Sequence, residues 1–189
     1  MTISSPSNQI QHSVDTFPIF QILAHKIYIK EWESEKENIL SLVPFDSSAP
    51  RTVEDDIEYT DFFEKKEKEY EHAFLSLVKP YLDSFLEESE YKFSRVTEMW
   101  CQKYLSGDYH APHDHGPQGY ACVFYAKLDD KVHPGTMFFS PFQGVDGGHS
   151  VQSFAVTEGD LVIFPCSLMH MAPPHHSEKD RIIIAFNLL

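Results

Sequence analysis

Residues 109–115 read Tyr109-His110-Ala111-Pro112-His113-Asp114-His115, and the fold turns on how this stretch is read. Taken as an extended strand, it sets His113 and His115 at i and i+2, so both imidazoles leave the same face. Such a pair, closed by one ligand from another strand, makes a three-point metal site with open coordination positions. The closing candidate lies far along the chain. His170 stands in Leu168-Met169-His170-Met171, shortly after the strand-like run Asp160-Leu161-Val162-Ile163-Phe164-Pro165. Eleven positions later Arg181 opens Arg181-Ile182-Ile183-Ile184-Ala185-Phe186-Asn187, an apolar run that would carry a guanidinium into a buried sheet.

Outward from these residues the second half of the chain is a series of short strands. Up to eight are expected, at 91–105, 110–115, 120–128, 136–142, 151–156, 161–164, 168–172 and 181–188. Gly, Pro and Asp signals such as Ser106-Gly107-Asp108 and Glu158-Gly159-Asp160 divide them. This pattern points to a sandwich or closed double sheet. The first half differs. Residues 1–15 are Ser-, Asn- and Gln-rich and loose, 14–29 suit an edge strand or two, and 32–43 form a short amphipathic helix through Ile39, Leu40 and Val43. Residues 44–60 form a loop, a candidate wall of a substrate entrance. Asp61 and Glu64 have capping-box spacing and are expected to open a long helix through Phe63, Tyr70, Phe74, Leu75, Leu77 and Val78. Pro80 should kink or split that helix before 81–85 resume the apolar stripe. The strand half offers the surface these helices need.

At 189 residues, 42% hydrophobic and 14% aromatic, the chain suits one globular domain. Its net charge of −14 is concentrated: residues 31–90 hold 18 acidic and 6 basic side chains. That is a solvated helical face, and an acidic surface argues against nucleic-acid binding. Cys101, Cys122 and Cys166 are scattered without a C-x-x-C pair and read as small buried residues in a reducing compartment. Neither a signal peptide nor a membrane-spanning run is evident. A cytoplasmic protein with no membrane partner is expected. Its oligomeric state is not legible.

One set of blocks carries a resemblance. Tyr104-Leu105-Ser106-Gly107-Asp108-Tyr109-His110-Ala111-Pro112-His113-Asp114-His115, Cys122-Val123-Phe124-Tyr125-Ala126, Gly135-Thr136-Met137-Phe138-Phe139, Gly159 to Pro165, His170 and Arg181 to Asn187 occur in the order found in the iron(II)/2-oxoglutarate-dependent oxygenases. Over about 95–189 the chain resembles their prolyl-4-hydroxylase-like branch and small bacterial and phage members. The resemblance implies an α+β, mainly β fold: a double-stranded β-helix (jelly roll, cupin-like) with N-terminal helices packed on one sheet. The division expected is one oxygenase domain over 1–189, with 1–90 as support and 91–189 as the jelly-roll core.

The resemblance also implies roles. His113 falls on the first iron ligand, His170 on the distal ligand, and Arg181 on the basic residue that binds the far carboxylate of 2-oxoglutarate. Tyr104 and Tyr125 fall where relatives place a tyrosine beside that co-substrate. The chemistry stands without analogy, since a planar guanidinium forks onto a carboxylate and a buried arginine needs an anionic partner. An internal carboxylate is the alternative partner. One departure is plain: the family's second ligand, a carboxylate two residues after the first histidine, is His115 here. Strand alternation aims Asp114 away from His113, so His113, His115 and His170 form the expected set, with Asp114 as fallback.

His110 and Asn187 are candidate substrate-side groups, Asn187 because 181, 183, 185 and 187 share a face. His133 and His149 fall in turns, while His175 and His176 are expected to be solvated. Phe124, Phe138, Phe139 and Phe164 read as core. The implied cofactors are Fe(II), 2-oxoglutarate and O2, for hydroxylation of an unactivated C–H bond, with a prolyl or other amino-acid residue of a peptide or protein as leading substrate. Two alternatives stay open: a three-histidine cupin-like dioxygenase that does not use 2-oxoglutarate, and a non-catalytic jelly-roll binding module.

Overall fold

The computed structural model of the protein describes residues 20–45, 57–89 and 95–189. Its strands are β1 (His25–Tyr28), β2 (Tyr59–Thr60), β3 (Val96–Tyr104), β4 (His110–His113), β5 (Tyr120–Lys127), β6 (Met137–Gln143), β7 (His149–Gln152), β8 (Asp160–Pro165), β9 (His170–Ala172) and β10 (Arg181–Leu188). The helices are α1 (Trp32–Ser41) and α2 (Glu69–Glu88). The strands form two antiparallel sheets, a large one in the order β1-β8-β5-β10-β3-β2 and a small one in the order β4-β9-β6-β7. This is the expected mainly β jelly roll.

Central strands of the large sheet are buried on both faces, which is why they read as unbroken apolar runs. On β5, Cys122, Phe124 and Ala126 join one core cluster while Ala121, Val123 and Tyr125 join the other. On β10, Ile182, Ile184, Phe186 and Leu188 take the first and Ile183 the second. Against the first side pack the helices. The α2 stripe Tyr70, Phe74, Val78, Leu82 and Phe85 recurs every three or four residues, as a one-faced helix requires. Trp32 of α1 lies edge-on to Phe124 at 4.7 Å, and its indole N–H donates to the Ala126 carbonyl at 3.1 Å. The second side faces the small sheet, and there the candidate site lies.

Three expectations for the helical half are corrected. The long helix starts at Glu69, not near Asp61. Asp61 is buried instead, and its carboxylate accepts the Cys101 N–H at 2.7 Å and the Tyr70 hydroxyl at 2.9 Å, tying α2 to β3. Pro80 lies inside an unbroken α2. It is exposed, and so is Ser76, four residues back, whose carbonyl loses its N–H partner and can turn to water. Within the expected loop 44–60, Tyr59–Thr60 pairs with β3 as a short strand. The expected loose tip at 1–15, most of that loop and the first residues of 91–105 lie outside the described residues.

Two bulges matter for the site. Between β3 and β10 the register jumps so that Phe186 faces Met99 and Asn187 faces Thr97, leaving Glu98 unpaired with φ +43°. Between β4 and β9, His110 faces Ala172 while His113 faces His170, one residue more on β4 than on β9. Pro112, which has no N–H for the ladder, sits in that irregularity.

Candidate metal centre

His113 ends β4 directly opposite His170 at the start of β9, so two candidate ligands are cross-strand neighbours on one face. His115 lies just past β4, and its N–H donates to the Cys166 carbonyl at 2.8 Å, which keeps the chain extended for two more residues. One nitrogen from each of His113, His115 and His170 falls within 4.8 Å of the other two.

Their hydrogen bonds orient all three rings alike. Nδ1 of His113 meets the Ala111 carbonyl at 2.7 Å, and Nδ1 of His170 meets the Leu168 carbonyl at 2.8 Å. Nδ1 of His115 meets Oδ1 of Asn187 at 2.6 Å. Each oxygen is an acceptor, so each Nδ1 carries the proton and each Nε2 keeps its lone pair for a cation. Such outer hydrogen bonds fix tautomer and ring orientation in metal sites. Burial, and next the neighbouring His113, hold His170 down at about 3, and burial likewise lowers His115. Three imidazoles that share one face, each with its Nε2 lone pair free, suit a divalent metal.

Asp114 is exposed and accepts the Gly116 N–H at 2.8 Å, outside the histidine group. The β4 bulge reverses the alternation of its strand, so His110 lies on the same face as His113, its ring stacked at 3.8 Å. Asn187 lies between His115 and Glu98, with its amide N–H directed to Oε2 of Glu98 at 3.4 Å.

Arg181 is buried at the opening of β10, 2% exposed. Its guanidinium carbon lies 4.4 Å from the centre of the Tyr104 ring, and Nη1 donates to the Pro134 carbonyl at 3.1 Å. Its Nε and Nη2 are buried with no hydrogen-bond partner among the described residues. An internal carboxylate therefore does not hydrogen-bond these donors, although Asp108 lies near enough to favour the charge. The Tyr125 hydroxyl pairs with Thr136 at 2.8 Å, and that of Tyr104 donates to Gln102 at 2.6 Å. A buried cation with unmet donors suits an anion such as a carboxylate.

Between the histidines and Tyr104 lies a small inner cavity of about 20 Å³, bordered by Gln102, Thr136, Ile183 and Ala185. On the other side of His113 and His115 opens a larger one of about 320 Å³, walled by Ile57, Phe62, Phe63 and Trp100, with Glu98 and His110 at its polar side. Sequence reasoning missed this aromatic wall, because Phe62 and Phe63 fall in a segment read as helix. It also missed His175, expected to be solvated but only 2% exposed, and His133, likewise buried. His149 and His176 are exposed. The three cysteines are free and buried, Phe124, Phe138 and Phe164 are core, and Phe139 is half-buried.

No curated protein matches the sequence. Residues 98–187 match a protein family described as "Putative 2OG-Fe(II) oxygenase". Solved structures share the fold at low identity. A Pseudomonas putida prolyl-4-hydroxylase is 11% identical with a TM-score of 0.58, covering 87% of this chain and 91% of its own. The viral collagen prolyl hydroxylase of Paramecium Bursaria Chlorella virus-1, solved as a 2-oxoglutarate complex, is 13% identical with a TM-score of 0.57 and coverages of 87% and 94%. HygX from Streptomyces hygroscopicus, solved with nickel and 2-oxoglutarate, is 15% identical with a TM-score of 0.60 and coverages of 88% and 82%. The stretch 98–187, which contains the three histidines and Arg181, is thus the part of the chain that is similar to the 2OG-Fe(II) oxygenases.

Proposed function

We propose that the protein hydroxylates an unactivated C–H bond of a prolyl or other amino-acid residue in a peptide, with His113, His115 and His170 as the iron ligands. Iron with 2-oxoglutarate and O2 supplies the oxidising power, and 2-oxoglutarate leaves as succinate and CO2. The observation that carries the reading is the pairing of three aligned imidazole Nε2 atoms with a buried arginine whose Nε and Nη2 lack partners. Arg181 holds the far carboxylate of 2-oxoglutarate, with its guanidinium plane set by the Tyr104 ring. Tyr125 props that end of the site through Thr136, whose N–H also donates to the phenol oxygen at 2.9 Å. A ligand set of three neutral rings leaves the metal charge undiminished, which strengthens its hold on an anionic co-substrate.

The inner cavity of about 20 Å³ has room for roughly one water, so side chains must move to admit 2-oxoglutarate. Gln102 borders both cavities and accepts from Tyr104, which puts it in that path. The substrate occupies the larger cavity, where Phe62 stands edge-on to Trp100 at 5.1 Å and offers an apolar wall to a ring such as proline's. His110 and Asn187 border the same space on the histidine side. Prolyl-hydroxylase neighbours, one of them solved with a peptide fragment of hypoxia inducible factor, support a peptide substrate. The test is succinate formation from 2-oxoglutarate with iron(II) and O2. Turnover that Arg181→Ala abolishes upholds the reading; oxygen consumption without succinate points to the 2-oxoglutarate-independent alternative.

A further inference from the structure

We propose that Glu98 selects a substrate with a cationic nitrogen, an ammonium or guanidinium, seated against the rings of Trp100, Phe62 and Phe63; this rests on the larger cavity being the substrate's place. Two carboxylates line that cavity, Glu98 and Asp114, and among the described residues no lysine or arginine does. Asp114 commits one oxygen to the Gly116 N–H. Glu98 receives only the long 3.4 Å contact from the Asn187 amide, and neither carboxylate has an ion-pair partner among the described residues. The chain itself leaves the acidic side of the cavity uncompensated.

Exposed acids are common on a chain with 29 of them, but Glu98 is held in a particular way. It is the residue left unpaired by the β3–β10 bulge, and its φ of +43° is the only positive value at a non-glycine among the described residues. Side chains disfavour that region, so the surrounding sheet imposes the conformation and with it the aim of the carboxylate. Asn187 then links it to the histidines. The Asn187 carbonyl oxygen takes the His115 Nδ1–H at 2.6 Å, while its amide faces Oε2 of Glu98. The carboxylate is thereby fixed relative to the histidine cluster, as a group that reads a substrate must be.

The aromatic wall suits the same partner. Phe62 stands at 80° to Trp100 and at 83° to Phe63, with ring centres 5.1 and 5.2 Å apart, so the three rings form a corner. Phe62 is 45% exposed and Phe63 67%, apolar surface that a bound group would cover. Aromatic faces attract cations, and the aliphatic stem of a lysine or arginine packs on rings while its head reaches a carboxylate. A neutral apolar substrate would cover the rings but strip water from Glu98 with nothing in return, and an anionic one would be repelled. A cation satisfies both walls at once.

The test titrates acetyl-lysyl-prolyl-glycinamide and its norleucyl counterpart, which differ by one charge, calorimetrically into zinc-loaded protein with 2-oxoglutarate present. An N-terminal amine is a second source of the same charge, and alanyl-prolyl-glycinamide with and without an acetyl group tests it. The charged member of one pair should bind about 5- to 30-fold tighter, and less so as sodium chloride is raised. Glu98→Gln keeps an acceptor for Asn187 and removes the charge, and should abolish most of that preference; Asp114→Asn should lower it less. No preference for charge in either pair, or one that Glu98→Gln leaves intact, would overturn the proposal. Succinate release with iron(II) and O2 is measured on the same peptides. Charge-dependent binding without succinate would uphold the cation site and sink the hydroxylase reading. Succinate formed equally well from charged and neutral peptides would uphold the reaction and sink the role of Glu98.

Discussion

Arg181 and Tyr104 are register partners across β10 and β3, and the guanidinium lies over the phenol ring at 4.4 Å. The ring holds the charge in place at a buried site, where such contacts contribute on the order of 1–2 kcal/mol. Tyr104→Phe retains it and loses the hydrogen bond to Gln102, so stability should change by about 1 kcal/mol. Tyr104→Ala empties a buried site and should cost about 3–5 kcal/mol, with a raised KM for 2-oxoglutarate. Urea unfolding and succinate kinetics measure both. Equal behaviour of the two variants would remove the ring from this role.

Gln102→Ala should ease admission of the co-substrate. Removing the amide widens the inner cavity and takes away the acceptor of the Tyr104 hydroxyl. Stopped-flow binding of 2-oxoglutarate should become faster, with iron affinity unaltered. A slower or unchanged rate would mean that Gln102 does not stand in the way.

Metal affinity should separate three neighbours. His115→Ala should abolish stoichiometric binding of iron(II), whereas Asp114→Ala, at an exposed carboxylate, should leave it intact. Asn187→Ala removes the acceptor that orients His115 and should weaken the metal 10- to 100-fold, roughly the range for such outer partners. Competition against a chelator reads all three, and loss in Asp114→Ala with retention in His115→Ala would reverse the ligand set.

Acid should destabilise the metal-free protein. His170, His115, His133 and His175 all have folded pKa values below the usual histidine value of about 6.5, with burial the first cause in each. The unfolded chain therefore takes up these protons first, and stability is lost as pH falls from about 6.5 toward about 3, where His170 titrates. The melting temperature at pH 4.5 should lie below that at pH 7.5, and His170→Gln should narrow the gap. Saturating zinc should also raise the midpoint at pH 7.5, since it binds the neutral rings.

Pro80→Ala should stabilise the protein by up to about 3 kcal/mol, because α2 regains an N–H donor for the Ser76 carbonyl. Guanidinium unfolding measures it. Destabilisation would show that the ring of Pro80 packs better than a helix needs.

Strands and the histidine cluster were legible because local chemistry decides them. The apolar runs of β5, β8 and β10 are buried on two faces, and the spacing of His113 and His115 survives in an extended chain that runs past the strand end. The failures have a common source in tertiary contacts. Asp61 has the spacing of a cap, yet Cys101 and Tyr70 claim its carboxylate. His175 sits between prolines and serines like a surface residue, but the β3–β4 turn and His133 cover it. His110, a candidate from the sequence, reaches the side of His113 because the bulge at Pro112 reverses the faces of its strand.

Glu98 shows how one supernumerary residue lets a strand serve two masters. C-terminal to it, Met99 and Cys101 face the helices while Trp100, Gln102 and Tyr104 face the cavities; N-terminal to it, the even-numbered Val96 packs on the helix side. Excising Glu98 would touch no imidazole, yet it would invert every earlier side chain of β3, and the amide that steadies His115 would lose its neighbour.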